Sequence, residues 1–208
     1  MLVLNRLQNS LKNCEPDVTA RVSLAVGKFI HDDNDDPSNL DKAIKELEKI
    51  VNIDINNVLD PLKSKIYCYY GMWRAEKIEK NLNEKDVINI LHDLELSTKY
   101  NQNNYKAWHS YALLNYKFFE YIKKTKINYA LNALEGFTKS ICIGGKNTSK
   151  ILQALLLLLN LWFQVGLEES IDKLMNEKIK IISLESWFLV LPQLLARINV
   201  TNPLIKKT

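Results

Sequence analysis

The stretch YKAWHSYALLNYKFFEYIKKTKINYALNALEGFTKSICI, residues 105–143, decides the fold. Its first half places Trp108, Tyr111, Ala112, Leu114, Phe118 and Phe119 at helical spacing over 105–123. That apolar surface is wide, and a helix apolar over most of its surface must be covered on several sides. The basic run Lys123–Lys126 interrupts the pattern, and a second helix follows over 127–141. Ala133, Phe137 and Ile141 recur there every four residues, and Gly144-Gly145 closes it. Two amphipathic helices joined by a short polar turn form a hairpin.

Working outward, the same pattern repeats. Leu2–Leu11 reads as a short amphipathic piece, and Val18–Ile30 as a helix begun near Pro16-Asp17. The run from His31 to Pro37 breaks it as an acidic loop, without the Gly and terminal Glu of a calcium loop. Ser38 is positioned to cap a helix whose apolar face is Leu40, Ile44, Leu47 and Val51. Asp60-Pro61 starts a helix with Pro at N1 that carries Ile66, Tyr70, Trp73 and Ile78. Asn83 caps 84–100, with a stripe of Val87, Ile88, Leu91, Leu94 and Leu96, and Asn103 or Asn104 caps the helix from Tyr105.

After Thr148 or Ser149 comes a Leu-rich helix that stops at Gly166. Its most apolar window, 151–165, falls short of the ~20 residues a spanning helix needs, so it reads as a buried central helix. Helices over 168–177 and 184–198 complete the chain, the last expected to kink at Pro192. No segment alternates with period two, and 6 Gly with 5 Pro among 208 residues are too few turn-makers for a sandwich or barrel. The fold class is therefore all-α: an α-solenoid of helical hairpins, with degenerate TPR- or HEAT-like repeats. Residues 105–143 resemble one degenerate tetratricopeptide unit.

Bulk chemistry excludes more than it selects. A formal charge of +4 does not by itself indicate a nucleic-acid binder, where charge clustered on one face is expected. Cys14, Cys68 and Cys142 are odd in number and far apart, so neither a disulfide framework nor a zinc site is expected. No signal peptide is expected at the N-terminus. His31-Asp32 and His92-Asp93 invite a metal-phosphohydrolase reading, but a metal needs converging ligands and no third His aligns with His92. No metal site and no catalytic residue is expected. Trp73, Trp108, Trp162 and Trp187 read as inter-helix anchors, His109 as a packing residue, and Arg197 as a cation at a helix C-terminus.

Four motifs carry a family resemblance. They are Tyr105-Lys106-Ala107-Trp108-His109 with Ala112 and Asn115, then Gly136-Phe137-Thr138-Lys139-Ser140-Ile141. Next come Leu159, Leu161-Trp162-Phe163 and Gly166, and last Trp187, Val190 and Pro192-Gln193-Leu194-Leu195-Ala196-Arg197-Ile198 with Pro203-Leu204. Together with Tyr70-Gly71-Met72-Trp73 they resemble the C-terminal part of the FAT domain of target-of-rapamycin (TOR) kinases, in the phosphatidylinositol-3-kinase-related kinase family. The likeness is close over 65–204 and weak before Pro16. It divides the chain into N-terminal helical repeats over 1–59 and FAT-like repeats over 60–208, continuous as one solenoid.

The resemblance implies a non-catalytic scaffold that braces a serine/threonine kinase domain, of the same or a companion chain, and TOR-complex-type protein subunits. It implies no nucleic acid and no direct membrane insertion, and a cytoplasmic setting, peripheral to endomembranes through a larger complex. The chain shows no Gly-rich phosphate loop, HRD-type catalytic loop or DFG. This chain is therefore not expected to be an enzyme; it reads as a fragment of a larger kinase or a split-off FAT-like protein. A free-standing helical-repeat adaptor without kinase activity is the alternative. No cofactor is required, but the resemblance implies a pocket for a structural inositol hexakisphosphate. Its carried-over positions are Lys28, Lys65 and Lys106, with a fourth basic position of the family falling on Leu24. Arg21 and Lys63 are further cations that could assist, but the resemblance carries neither of them over.

Overall fold

The computed structural model describes residues 15–33, 36–53, 55–144 and 148–196. Leu2–Leu11, Cys14, Gly145, Arg197, Ile198 and Pro203-Leu204, on which expectations were placed, lie outside the described residues. The fold is all-α, with no strand among the described residues. The chain divides into two compact units, Met1–Ala107 and Trp108–Thr208. Residues 59 and 60, where the motif density changes, fall inside the first unit.

The first unit is built from consecutive hairpins. Helix α1 (Pro16–Asp32) packs on α2 (Asn39–Ile53). A 3₁₀ turn (Ile55–Asn57) leads to α3 (Asp60–Ile78), which packs on α4 (Glu84–Tyr100) and on α2. Ala20 and Leu24 of α1, Ala43, Leu47 and Ile50 of α2, and Ile66, Tyr70 and Trp73 of α3 share one core. The second contact, α3 on α4, is close because Gly71 leaves room for Leu94: a Cβ there would lie 2.8 Å from Leu94. Two serines add a polar clasp to it. Ser64 donates to the Ser97 carbonyl at 2.8 Å and Ser97 to the Ser64 carbonyl at 2.6 Å.

The second unit takes up α5 (Tyr105–Tyr121), whose first turn belongs to the first unit, then α6 (Ile127–Ile143) and α7 (Thr148–Val165). Helix α8 (Glu169–Lys178), a 3₁₀ turn (Ile179–Ile181), α9 (Leu184–Phe188) and α10 (Leu191–Ala196) follow. Helix α6 packs on α7, and Phe137, Leu155, Leu158, Trp162 and Met175 lie in the core. By length and composition α7 is apolar enough to cross a membrane. Here Ile151, Ala154, Leu155, Leu158, Leu159, Leu161, Trp162 and Val165 are sunk in the unit's own core.

Local expectations were met at Asn83, whose side chain accepts from the Asp86 N–H at 2.9 Å, and at Asn104, which accepts from the Ala107 N–H at 3.3 Å. Elsewhere the structure corrects them. Ile88 is 52% exposed, and Ile90 takes its place in the α4 core. Pro61 is the second helical residue of α3, after Asp60. Ser38 does stand directly before α2, its carbonyl accepting from the Lys42 N–H at 3.1 Å, but its hydroxyl donates to Asp36 at 2.7 Å, and Asp36 also accepts from the Ser38 N–H and from Lys42. His31-Asp32 is the last turn of α1, not a loop. Where one kinked helix over 184–198 was expected, the described part forms two: α9 ends at Phe188 and α10 starts at Leu191. Pro192 accounts for this, because its ring clashes with the carbonyl four residues back, that of Phe188, and it has no N–H to give.

Candidate polyanion site

The site grows from an edge shared by α1, α3 and the first turn of α5, all within the first unit. On α1, Ala20, Leu24 and Gly27 are buried, and Lys28 sits at the margin of that face. On α3, Lys65, Tyr69 and Trp73 follow at four-residue intervals and so line one side of the helix. The start of α5 is pinned to α3, because Asn104 donates to the Ser64 hydroxyl at 2.9 Å while capping Ala107. That fixes where Lys106 begins.

Lys28 and Lys106 converge on one phenol. The Lys28 ammonium stands 4.2 Å from the centre of the Tyr69 ring, and that of Lys106 stands 4.3 Å from it. Lys106 also donates to the Tyr69 hydroxyl at 3.1 Å. Burial pushes the Tyr69 phenol up, but the hydrogen bonds and charges of Lys106 and Lys28 outweigh it and hold the phenol below its ordinary value. Trp73, 2% exposed, braces the next turn: Tyr69 tilts against it at 5.6 Å and His31 stacks on it at 5.1 Å. The His31 Nε2 faces Glu76 at 3.1 Å, a second tie between α1 and α3. Gly27 lets the Trp73 ring in, since a Cβ there would lie 3.1 Å from it.

Lys65 stands exposed one turn before Tyr69 on α3. Among the described residues no carboxylate pairs with Lys28, Lys65 or Lys106. Arg21 and Lys63 differ: each has a carboxylate, Asp17 at 2.7 Å and Asp60 at 3.3 Å. Leu24 is 6% exposed and belongs to the core, so that position adds no charge. Sequence reasoning missed Tyr69. The signal for it was the Lys65-Tyr69-Trp73 spacing, which marks one helix edge. The other singled-out residues lie elsewhere. His92 is exposed on α4. His109 packs edge-on against Phe137 at 6.0 Å, with burial lowering its pKa. Trp162 is buried, and Trp108 and Trp187 are half-buried.

What this arrangement offers is a patch of cations from separate helices, on a rigid aromatic base, none of them ion-paired to a carboxylate among the described residues. It suits an anion carrying several phosphates.

Comparison with known proteins agrees with the helical architecture. A family model described as the FAT domain matches residues 2–160, which takes in the whole first unit and the second as far as α7. The serine/threonine-protein kinase tor1 of Schizosaccharomyces pombe is 30% identical over 149 residues, 67% of this chain and 6% of that protein. The serine/threonine-protein kinase mTor of Drosophila melanogaster is 27% identical over 170 residues, 69% of this chain and 7% of that protein. TOR2 of Saccharomyces cerevisiae is 25% identical over 223 residues, 87% of this chain and 9% of that protein. The chain belongs to the FAT-domain family, as a segment of the kind found in TOR kinases. It spans between 6% and 9% of the length of these curated relatives.

Proposed function

We propose that this chain is a non-catalytic helical brace for a TOR-type serine/threonine kinase, and that it carries inositol hexakisphosphate as a structural ligand. The observation that carries the first half is the FAT match laid over the whole first unit. A stack of helical hairpins, each buried against its neighbour, deforms little, and a stiff array is what can restrain a kinase domain and its partner subunits. The kinase domain, on the same or a companion chain, is the direct partner. The setting is cytoplasmic, with any endomembrane contact made through the larger complex. The second half is supported by Lys28 and Lys106 converging on Tyr69, with Lys65 a turn away.

Both halves are open to test. This chain, added to a TOR kinase-domain polypeptide lacking its own FAT segment, is expected to co-elute with it. A well-folded chain that never associates contradicts the brace. For the ligand, a native-state binder at a hundredfold excess over its Kd adds about 2.7 kcal/mol. For a chain of this size that is roughly 5–10 °C in Tm. An unchanged melting curve, or an equal shift in Lys65→Glu/Lys106→Glu, contradicts the pocket.

A further inference from the structure

We propose that Tyr69 is a positioning residue of this site: its ring and hydroxyl hold Lys28 of α1 beside Lys106 of α5, so that one phosphate group meets both ammoniums at once. The proposal rests on the polyphosphate reading above and adds to it the group that organises the cations.

Two ammoniums within 4.2 and 4.3 Å of one ring centre repel each other, and no carboxylate among the described residues offsets that. The negative face of the ring and the phenol oxygen are what hold them. Lysine stems carry four rotatable bonds, so two free lysines would have to be ordered at the moment of binding. Here Tyr69 has ordered them in advance. The phenol oxygen accepts from Lys106, which leaves its own O–H to donate. No acceptor for that hydrogen occurs among the described residues. Two ammoniums and one O–H are thus gathered around a single phenol ring. The frame beneath does not depend on the ligand. Trp73 wedges against Gly27 and His31, and Asn104 ties α5 to Ser64.

A spectroscopic consequence follows. The two lysines hold the Tyr69 phenol below its ordinary value. An anion bound to them cancels that bias, so the phenol should ionise at higher pH when the site is filled.

The test uses the full chain, inositol hexakisphosphate as probe, and the variants Tyr69→Phe, Tyr69→Leu, Lys28→Gln and Lys106→Gln. Kd is measured by calorimetry across a salt series. The Tyr69 phenolate is followed as the ultraviolet difference between the parent and Tyr69→Phe chains. Tyr69→Leu should weaken binding about tenfold and keep the parental salt dependence, because no charge is removed. Tyr69→Phe keeps the ring and should lose about threefold. Each lysine variant should lose affinity and salt dependence together. The phenol difference titration should move up on ligand addition. The helical circular dichroism of Tyr69→Phe guards against misfolding. Parental affinity in both Tyr69 variants, with binding lost in the lysine variants, overturns the role of Tyr69 and leaves the pocket standing. A parent chain that does not bind the probe overturns the pocket and this proposal with it.

Discussion

Arg74 and Asp93 form a bond between α3 and α4 whose two ends are not equivalent. Burial raises the Asp93 pKa above its ordinary value, and the charge and hydrogen bond of Arg74 pull it back only in part. Arg74 also lies over the Tyr70 ring, 5.0 Å from its centre. A carboxyl whose folded pKa is raised favours the fold most when protonated. Its contribution is full below the unfolded value of 3.8 and is lost as pH rises through the folded value. Arg74→Ala should therefore cost about 2–3 kcal/mol at neutral pH, and the cost should shrink as pH falls toward the range where Asp93 protonates. Asp93→Asn should cost less. Denaturant midpoints of both variants across pH check this, and an Arg74→Ala penalty that grows on acidification contradicts it. Cys68 offers a second check. It is 1% exposed, and burial pushes its thiol up to about 12, against the weaker pull of Lys106 and Lys28. Alkylation at mildly alkaline pH should spare Cys68 in the folded chain and modify it once denaturant is added, as peptide mapping will show.

At the scale of elements, the helix crossings turn on missing side chains. A Cβ on Gly136 would meet the Ala112 Cβ at 2.9 Å and the Trp108 carbonyl at 3.2 Å. One on Gly71 would crowd the Leu94 side chain at 2.8 Å and meet the Ile90 carbonyl at an ordinary contact distance of 3.7 Å. Backbone and Cβ atoms cannot rotate away, whereas a leucine can change rotamer. Gly136→Ala should cost about 2 kcal/mol net of its gain in helix propensity, and Gly71→Ala about 1 kcal/mol or less. Equal Tm values for the two variants would contradict this reading. The same contrast bears on what could be read in advance. Caps such as Asn83, and the pairing of helices, were legible because capping and 3.6-residue periodicity are local. The end of α5 was legible only to within two residues, expected at Lys123 and found at Tyr121. The Lys124 backbone N–H donates to the Phe119 carbonyl and the Lys123 N–H to that of Glu120, a Schellman ending with Lys123 at φ 53°. Glycine would have announced that turn; lysine does not. Ile88 was a misreading that spacing could have prevented: Val87, Ile90, Leu91 and Leu94 fall at i, i+3, i+4 and i+7, a stripe to which Ile88 does not belong.

For the whole molecule, the family resemblance put Lys28, Lys65 and Lys106 in one candidate site, and the structure brings Lys28 and Lys106 to one ring. Tyr69 escaped because an aromatic in an apolar helix usually reads as core. Its meaning comes from two helices distant in sequence that lay cations over it. The function argued for it is mechanical: a ligand there ties α1, α3 and the start of α5, and so stiffens the first unit. Amide hydrogen exchange on the full chain, with and without inositol hexakisphosphate, measures that stiffening directly. Added protection in the C-terminal half of α1, the middle of α3 and the first turn of α5 is the predicted result. Exchange unchanged by saturating ligand, or protection gained only in the second unit, would contradict it.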